Sequence, residues 1–595
     1  MSRKSRTTKT VAVWLFVFAM IAMALAGCTS KKEDNNVMPS QSQATPAESA
    51  TSNEPASPEP VTLKIFAEWL LNPMPNPVPS DPVAQEITKQ TGVTMDFEPF
   101  LGGGDAKAKL SALIASGDLP DIVITSDYTI VQNLINNKQV IALEDLIASN
   151  GSNIKQFIGD AVKKQRVIYE QPDNKTYFLK PQVYGGDWSP LQANNMWNIR
   201  WDLYKKLGKP KLDSLDAFLQ VLKDMQQLEP VNKEGKKTYG FGMGFGDSWT
   251  INMIDKAIAN GRGMFVGVPQ YYARDVATDK LVPAMHDPDS IWWKAMDFYA
   301  KAYREGVLDP ESITQKWGNM SDKASQGRYF AGQAIWALGN VNQYFTAKDG
   351  EPDPEKGMVP IPVWTKDKDA YFYAVNDIGN QYFVMISANS EHPDRAMDLL
   401  NYLATPEAYE TINNGVLGQT WELVDGKQPK ELKEFTDFKK THTPAEIQEK
   451  YGVSVYYHMP LWAGLDDPSG FKALVTNDEQ YLKENTKGAL LDYMNINNLK
   501  YPMEVLDQIP NNTHSGSLQS AIALPQGTDL ASKAAQMSSY QQSMAPGIIA
   551  SKTEEDYNAN KAKFIDEIKK MGIEEVFQFF NDKYEELKIK VQASQ

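Results

Sequence analysis

Between Val61 and Thr125 the hydrophobic pattern switches repeatedly between a period of two and a period near 3.6, and such a chain can bury its apolar side chains in few ways. Val61-Thr62-Leu63-Lys64-Ile65-Phe66 alternates in the strand sense. Ser80 or Asp81 followed by Pro82 opens a helix that Gly92 ends, because proline suits a first turn and glycine accepts the left-handed stop. Val93 to Glu98 predicts a second strand. Asp105 to Ser116 predicts a second helix, with Leu110, Leu113 and Ile114 on one face before Gly117, and Asp121 to Thr125 a third strand. Short units of this kind build a parallel sheet through right-handed crossovers, so the fold class is α/β. The body from Val61 to Gln595 is long enough for several cores and carries no internal repeat or second low-complexity linker, which favours lobes that share the chain.

Ahead of the body lies a different composition. Arg3, Lys4, Arg6 and Lys9 precede an uncharged apolar run from Val11 to Leu25, the layout of a signal peptide over residues 1–27. As a helix the run rises only about 22 Å, short of a bilayer core of roughly 30 Å. Leu25-Ala26-Gly27-Cys28 resembles the bacterial lipobox, and Cys28 is the only cysteine in 595 residues. The resemblance implies that its thiol carries a diacylglycerol thioether and that the protein sits on the outer face of the cell membrane. Thr29 to Pro60 is rich in Ser, Thr, Asn, Glu, Pro and Ala, a composition that cannot offset its ordering entropy; residues 28–60 are expected to be lipidated Cys28 and a tether about 30 Å long. The formal charge of −15, made −19 by loss of the four basic signal-peptide residues, disfavours nucleic acid as a partner.

In a parallel sheet ligands sit beyond the carboxyl ends of the strands, which here carry Glu68 and Trp69, then Asp127 and Tyr128. Trp69, beside Leu70 and Leu71, suits interior packing equally well. Asp127 also suits the N-cap of a helix beginning near Ile130.

Four segments then resemble the extracellular solute-binding proteins, family 1, the capture subunits of ABC importers. They are Ile114-Ala115-Ser116-Gly117-Asp118-Leu119-Pro120-Asp121-Ile122; Met196-Trp197-Asn198-Ile199-Arg200-Trp201-Asp202 through Gly208; Gln326-Gly327-Arg328-Tyr329-Phe330-Ala331 through Trp336; and Ile386-Ser387-Ala388-Asn389 through Met397. The helical faces nearby are those of a packed core: Leu215, Phe218, Leu219, Leu222 and Met225 after an Asp213 or Ser214 cap, and Ala396, Leu399, Leu400 and Leu403 after Pro393. The resemblance implies a periplasmic-binding-protein-like type II fold, with two lobes of mixed and parallel sheets joined by hinge strands. Residues 61–184 with 375–490 would form lobe 1 and residues 185–374 lobe 2, with crossings near Tyr177 to Asn194 and Ala374 to Ile386. Residues 491–595 would be a C-terminal helical extension, similar to that of longer Gram-positive lipoprotein members.

The resemblance further implies a monomer that closes on a soluble guest and hands it to the transmembrane subunits of an ABC permease, with no catalytic residue and no cofactor. Sugar rings need flat aromatic platforms edged by amides and carboxylates, so an oligosaccharide is the expected ligand, with a peptide or another small solute as alternatives. Candidate contacts are Glu68, Trp69, Asp127, Tyr128, Trp188 near the first crossing, Asp247 and Trp249, Asn340, and Trp421 after Gly415 to Gly418. Calcium-binding members carry an acidic loop where this chain has Glu229-Pro230-Val231-Asn232-Lys233-Glu234-Gly235-Lys236-Lys237, so no metal is expected there. The five histidines lack zinc spacing, and Gly246-Asp247-Ser248 lacks the final glycine of a nucleophile elbow. A surface glycosidase using two carboxylates is the main rival, because 75 acidic residues guarantee close pairs; a structural surface protein is the third reading.

Replacing Cys28 by Ser is expected to abolish labelling of the protein by radioactive palmitate and to shift it from the membrane fraction to the medium. Retention of both label and membrane association would refute lipidation at Cys28.

Overall fold

One parallel pair of strands organises the first half of the molecule. In chain order come β1 (Val61–Ala67), α1 (Pro82–Thr91), β2 (Val93–Phe97), α2 (Asp105–Ser116), β3 (Ile122–Thr125), α3 (Tyr128–Asn136) and α4 (Gly159–Ile168). β1 lies between β2 and β3 and is parallel to both, with Val61 opposite Val93 and Ile65 opposite Ile122. The computed structural model describes residues 59–69, 77–99, 105–184, 196–267, 269–333, 341–342, 344–346, 352–364, 372–375, 377–506, 513–516, 518–525 and 527–594. All of these belong to one compact unit, Ser57–Gln595.

The alternation along the strands decides which face each side chain enters. Leu63, Ile65, Ala67, Ile122 and Ile124 fill a cluster on one face, and Phe66 and Val123 a second cluster on the other. Both faces are covered by helices, as a parallel sheet requires. Strand three starts at Ile122, one residue later than expected, and the preceding Asp121 carboxylate accepts from the Lys64 amide at 2.9 Å and the Ser390 hydroxyl at 2.6 Å.

The ends of α1 form as the sequence predicts. Asp81 accepts from the Ala84 amide at 3.0 Å, Pro82 occupies the first turn, and Gly92 stops the helix at φ 67°, its N–H donating to Thr88 O. The second Asp81 oxygen takes the Tyr456 hydroxyl at 2.5 Å, and Tyr456 is fully buried, stacked on Phe97 with ring centroids 5.9 Å apart.

A second, larger core begins after the first crossing. It holds β4 (Asn198–Arg200), α5 (Leu215–Leu228), α6 (Ile291–Arg304), β5 (Ala331–Gly332) and β6 (Met358–Pro360), the strands forming an antiparallel sheet in the order β6-β4-β5. Ser214 caps α5, accepting from the Ala217 amide at 3.0 Å, and Phe218, Leu219, Leu222 and Met225 are buried on its inner face. Arg200 is fully buried and is neutralised from two sides: Asp202 takes its Nε at 2.8 Å and Nη2 at 2.9 Å, and Glu229 takes its two Nη at 3.2 and 3.1 Å. A buried guanidinium needs this full set of acceptors, since an unpaired charge in the interior costs several kcal/mol.

The chain then returns. β7 (Phe383–Ile386) adds to the first sheet antiparallel to β3, giving the order β7-β3-β1-β2, and α7 (Pro393–Leu403) packs Ala396, Leu399, Leu400 and Leu403 into the first core. The outgoing and returning crossings touch one another, Leu179 bridging Val384 and the Asn380 amide donating to Pro181 O at 2.7 Å.

The three final helices, α8 (Asp529–Ile549), α9 (Glu554–Lys570) and α10 (Ile573–Ser594), are more than an appendage. They complete the second core: Phe564 packs 5.5 Å from both Trp292 and Trp293 of α6, and Phe580 lies 5.1 Å from Tyr272. No helix among the described residues is long and apolar enough to cross a membrane.

Asp81→Ala is expected to lower the unfolding free energy by about 2–4 kcal/mol, from the lost cap and the orphaned Tyr456 hydroxyl together, whereas Tyr456→Phe loses only the single hydrogen bond. Urea denaturation of the two variants checks this; a Tyr456→Phe variant as stable as the parent would show that Asp81 acts only as a cap.

Candidate functional site

Parallel pairing sets the Glu68 and Ser126 ends of β1 and β3 side by side. The Glu68 carboxylate accepts from Thr125 Oγ1 at 2.6 Å, from the Ser126 amide at 2.5 Å and from Ser126 Oγ at 2.9 Å. The next residue, Asp127, caps α3 through the amides of Thr129 at 3.0 Å and Ile130 at 3.3 Å. Asp127 also forms an ion pair with Lys107. Partial burial alone would raise its pKa, but the Lys107 ammonium and the helix amides outweigh that and hold the carboxyl below its usual range.

Trp69 turns from the end of β1 toward the second crossing. It is 5% exposed and meets Tyr382 and His458 edge-on, at centroid distances of 5.9 and 6.0 Å. Tyr382 and His458 lie 4.7 Å apart, and the Tyr457 ring, 42% exposed, sits 3.9 Å from His458. Amides edge these rings: Asn380 Nδ2 lies 3.0 Å from Gln182 Oε1 and 3.3 Å from His458 Nδ1, and Gln182 Nε2 donates to Tyr457 O at 2.7 Å. Asn380 Nδ2 is a donor, so Nδ1 of His458 accepts and the ring proton resides on Nε2. Burial pushes the His458 pKa down to about 4, which keeps the imidazole neutral at physiological pH. Trp69, expected from the sequence as a ligand contact, is buried in the first core and backs a group made of Gln182, Asn380, Tyr382, Tyr457 and His458, which the sequence did not reveal.

A second aromatic group lies in the other half of the molecule. The Asp247 carboxylate accepts from the Trp317 amide at 2.7 Å, and Trp317 packs against Trp249 at 5.1 Å and 45°. Trp249 is 44% exposed. Trp317 was not expected from the sequence, since only the fold brings it beside the Asp247 segment.

Tyr128 is half-buried: its hydroxyl donates to Tyr169 O at 2.9 Å and its ring stacks 5.3 Å from Phe383 in a nest with Tyr169 and Phe178. Lys180 covers the same nest, its ammonium 3.8 Å from the Phe383 centroid, and burial lowers its pKa to about 7. Trp421 is 3% exposed and its Nε1 donates to Gly415 O at 2.9 Å, so its ring fills the interior and offers no platform. Trp188, Asn340 and Cys28 lie outside the described residues.

The loop from Glu229 to Lys237 is closed on itself. Asn232 Oδ1 accepts from the amides of Glu234 at 3.1 Å and Lys236 at 2.8 Å, while its Nδ2 donates to Glu234 Oε2 at 2.7 Å and Gln326 O at 2.8 Å. The Lys233 ammonium lies 3.9 Å from the Tyr344 ring centroid. Among the described residues no group of three or more His, Cys, Asp or Glu is placed to hold a metal ion.

Two α/β cores are thus joined by crossings, and each carries an aromatic group. The model of the bacterial extracellular solute-binding proteins matches residues 77–410, more than half of the chain, and the chain belongs to that family. It is 23% identical over 419 residues to the lipoprotein LipO of Bacillus subtilis, an alignment covering 68% of this chain and 73% of the relative. It is 23% identical over 338 residues to an uncharacterized ABC transporter extracellular-binding protein of Pyrococcus horikoshii, covering 56% of this chain and 66% of the relative.

Solved structures share the fold. The alginate-binding protein AlgQ2 without calcium ion superposes with a TM-score of 0.59 at 18% identity, covering 89% of this chain and 98% of that one. A solute-binding protein from Bifidobacterium longum infantis, described as binding HMO, gives 0.61 at 15% identity, covering 89% and 99%. The Streptococcus pneumoniae protein FusA in complex with kestose gives 0.57 at 18%, covering 89% and 100%. The fold is the type II periplasmic-binding-protein fold with added C-terminal helices. The protein is a solute-binding component of the ABC-importer class and not an enzyme, which removes the glycosidase reading.

The His458 environment makes stability pH-dependent with a defined sign. Its folded pKa lies below the unfolded value of about 6.5, so the unfolded chain binds the proton first and stability falls as pH drops from about 6.5 to about 4. After discounting for its partial exposure, this amounts to about 1–2 kcal/mol. The unfolding free energy of His458→Asn, measured over this range, is expected to fall less steeply than that of the parent by this amount; equal slopes would show that burial does not restrain the imidazole.

Proposed function

We propose that the chain captures an extracellular oligosaccharide between its two lobes, closes on it, and delivers it unchanged to the permease of an ABC importer from the outer face of the membrane, held there by lipid on Cys28. Lobe 1 is built on the first core and lobe 2 on the second. The observation that carries the ligand class is the wall formed by Trp69, Tyr382, Tyr457 and His458, edged by Gln182 and Asn380.

Its chemistry suits a sugar. Hexose rings present C–H faces that pack on aromatic rings and hydroxyl rims that exchange hydrogen bonds with amides and a neutral imidazole. The exposed Tyr457 ring is the platform, and Asn380, Gln182 and the Nε2–H of His458 are the rim partners. Trp249 and Trp317, with Asp247, serve the opposite lobe in the same manner, and Glu68 and Asp127 shape the lobe 1 edge by fixing the turn after β3. Solved proteins with this fold include ones described as binding alginate, HMO and kestose, which supports the same ligand class.

Calorimetry with a panel of plant and microbial oligosaccharides is expected to give saturable binding to at least one, with no new product on chromatography. Tyr457→Ala should weaken that binding by about 1–2 kcal/mol while leaving thermal unfolding unchanged, since the ring projects toward solvent. Turnover of the sugar, or binding confined to peptides, would overturn the ligand assignment.

A further inference from the structure

The last helix touches both cores. Ile573, Val576, Phe580 and Tyr584 of α10 enter the second core, and the Tyr584 hydroxyl donates to Asp279 Oδ1 at 2.6 Å. Lys588 pairs with the other Asp279 oxygen at 3.0 Å. The same helix then leaves that core behind. Leu587, fully buried, packs with Ile168 at the end of α4 and with Ile378 on the returning crossing, and Val591 lies beside them. Lys583 and Lys590, two turns apart and so on one face, both pair with Glu170 just beyond α4, at 2.6 and 2.5 Å.

α4 belongs to the first core through Ala161 and Val162, and Gln165 on the same helix donates to Ile378 O at 3.2 Å. Ile378 is therefore gripped from two sides, by α4 of one core and by α10 of the other. A change of angle between the cores must slide α10 along α4 or bend the returning crossing against Leu587. Packed side chains resist such sliding because they interdigitate at close-packed density.

We propose that the C-terminal half of α10 is a brace across the hinge, in which Leu587, Lys583 and Lys590 are positioning residues that hold the two lobes within a narrow range of angles before any ligand arrives. The proposal rests on the hinged-capture reading and adds what sets the resting state of that hinge. Lobes already held within a narrow range of angles lose less freedom when a guest is captured, and the brace sets that range without touching the guest.

The test uses the full chain with Cys28→Ser, which then has no cysteine, and spin labels on Gln156→Cys in the first core and Lys294→Cys in the second, both exposed. The distance distribution between the labels is measured by pulsed electron spin resonance. The parent is expected to give one narrow peak, Glu170→Lys a peak roughly twice as wide, and Glu170→Lys with Lys583→Glu a peak narrowed again toward the parent. Leu587→Ala should broaden the peak without changing any charge; should it fail to fold, the charge swap decides alone. Parent-like widths in Glu170→Lys, with unchanged circular dichroism, would overturn the brace. If a bound oligosaccharide shifts the mean distance while the variants leave the width alone, the hinge stands and the brace falls. If Glu170→Lys broadens the peak and no ligand moves it, the brace stands and hinged capture falls.

Discussion

Two strands paired in parallel end at the same edge of the sheet, and that constraint supplies the site. β1 and β3 run in one direction, so the residues after them leave the sheet together; Glu68 reaches Ser126 across the gap, and Trp69 is sent toward the crossings instead of back over the sheet. A sheet with β1 and β3 antiparallel would put these turns at opposite ends. The helices on both faces follow from the same choice, since strands apolar on both sides must be covered on both sides.

The second half is organised by a different necessity. Arg200 ends the central strand of the small sheet in a place without solvent, and only the convergence of Asp202 and Glu229 makes that tolerable. Glu229 is also the entrance to the loop that Asn232 ties together, so a charge buried at the sheet fixes where the loop starts. Glu234 is already bonded to Asn232 and Tyr344, and two lysines take hydrogen-bonding or ring-facing positions around it.

The parts legible in advance are those set by near neighbours in the chain. Asp81, Pro82 and Gly92 bound their helix as the sequence predicts because caps and left-handed stops are decided within a few residues. Asp127 likewise proved to be a cap. The aromatic wall was not legible: Trp69 meets residues more than three hundred positions away, and nothing near Tyr382 or His458 distinguishes them from other surface aromatics. Trp421 shows the converse, for a ring in a glycine-rich turn is as readily swallowed by the interior as left at the edge. Only the direction of the side chain separates the outcomes, and distant neighbours set it. The last helices read correctly as added helices, but an amphipathic face does not say which core it packs on, and only the fold shows that they join the second.

The bond between Asp81 and Tyr456 spans 375 positions and lies in the first core. The lobe begun first is therefore finished late, after its own interruption by an entire second lobe. A chain emerging amino end first presents β1, β2 and β3 long before β7 and Tyr456 exist to cover them, leaving the β3 edge open for that interval. For a polypeptide sent through a membrane as a thread, early docking of these strands would obstruct passage. A core whose last members lie near Leu461 could not, in such a passage, be completed until that stretch had crossed as well.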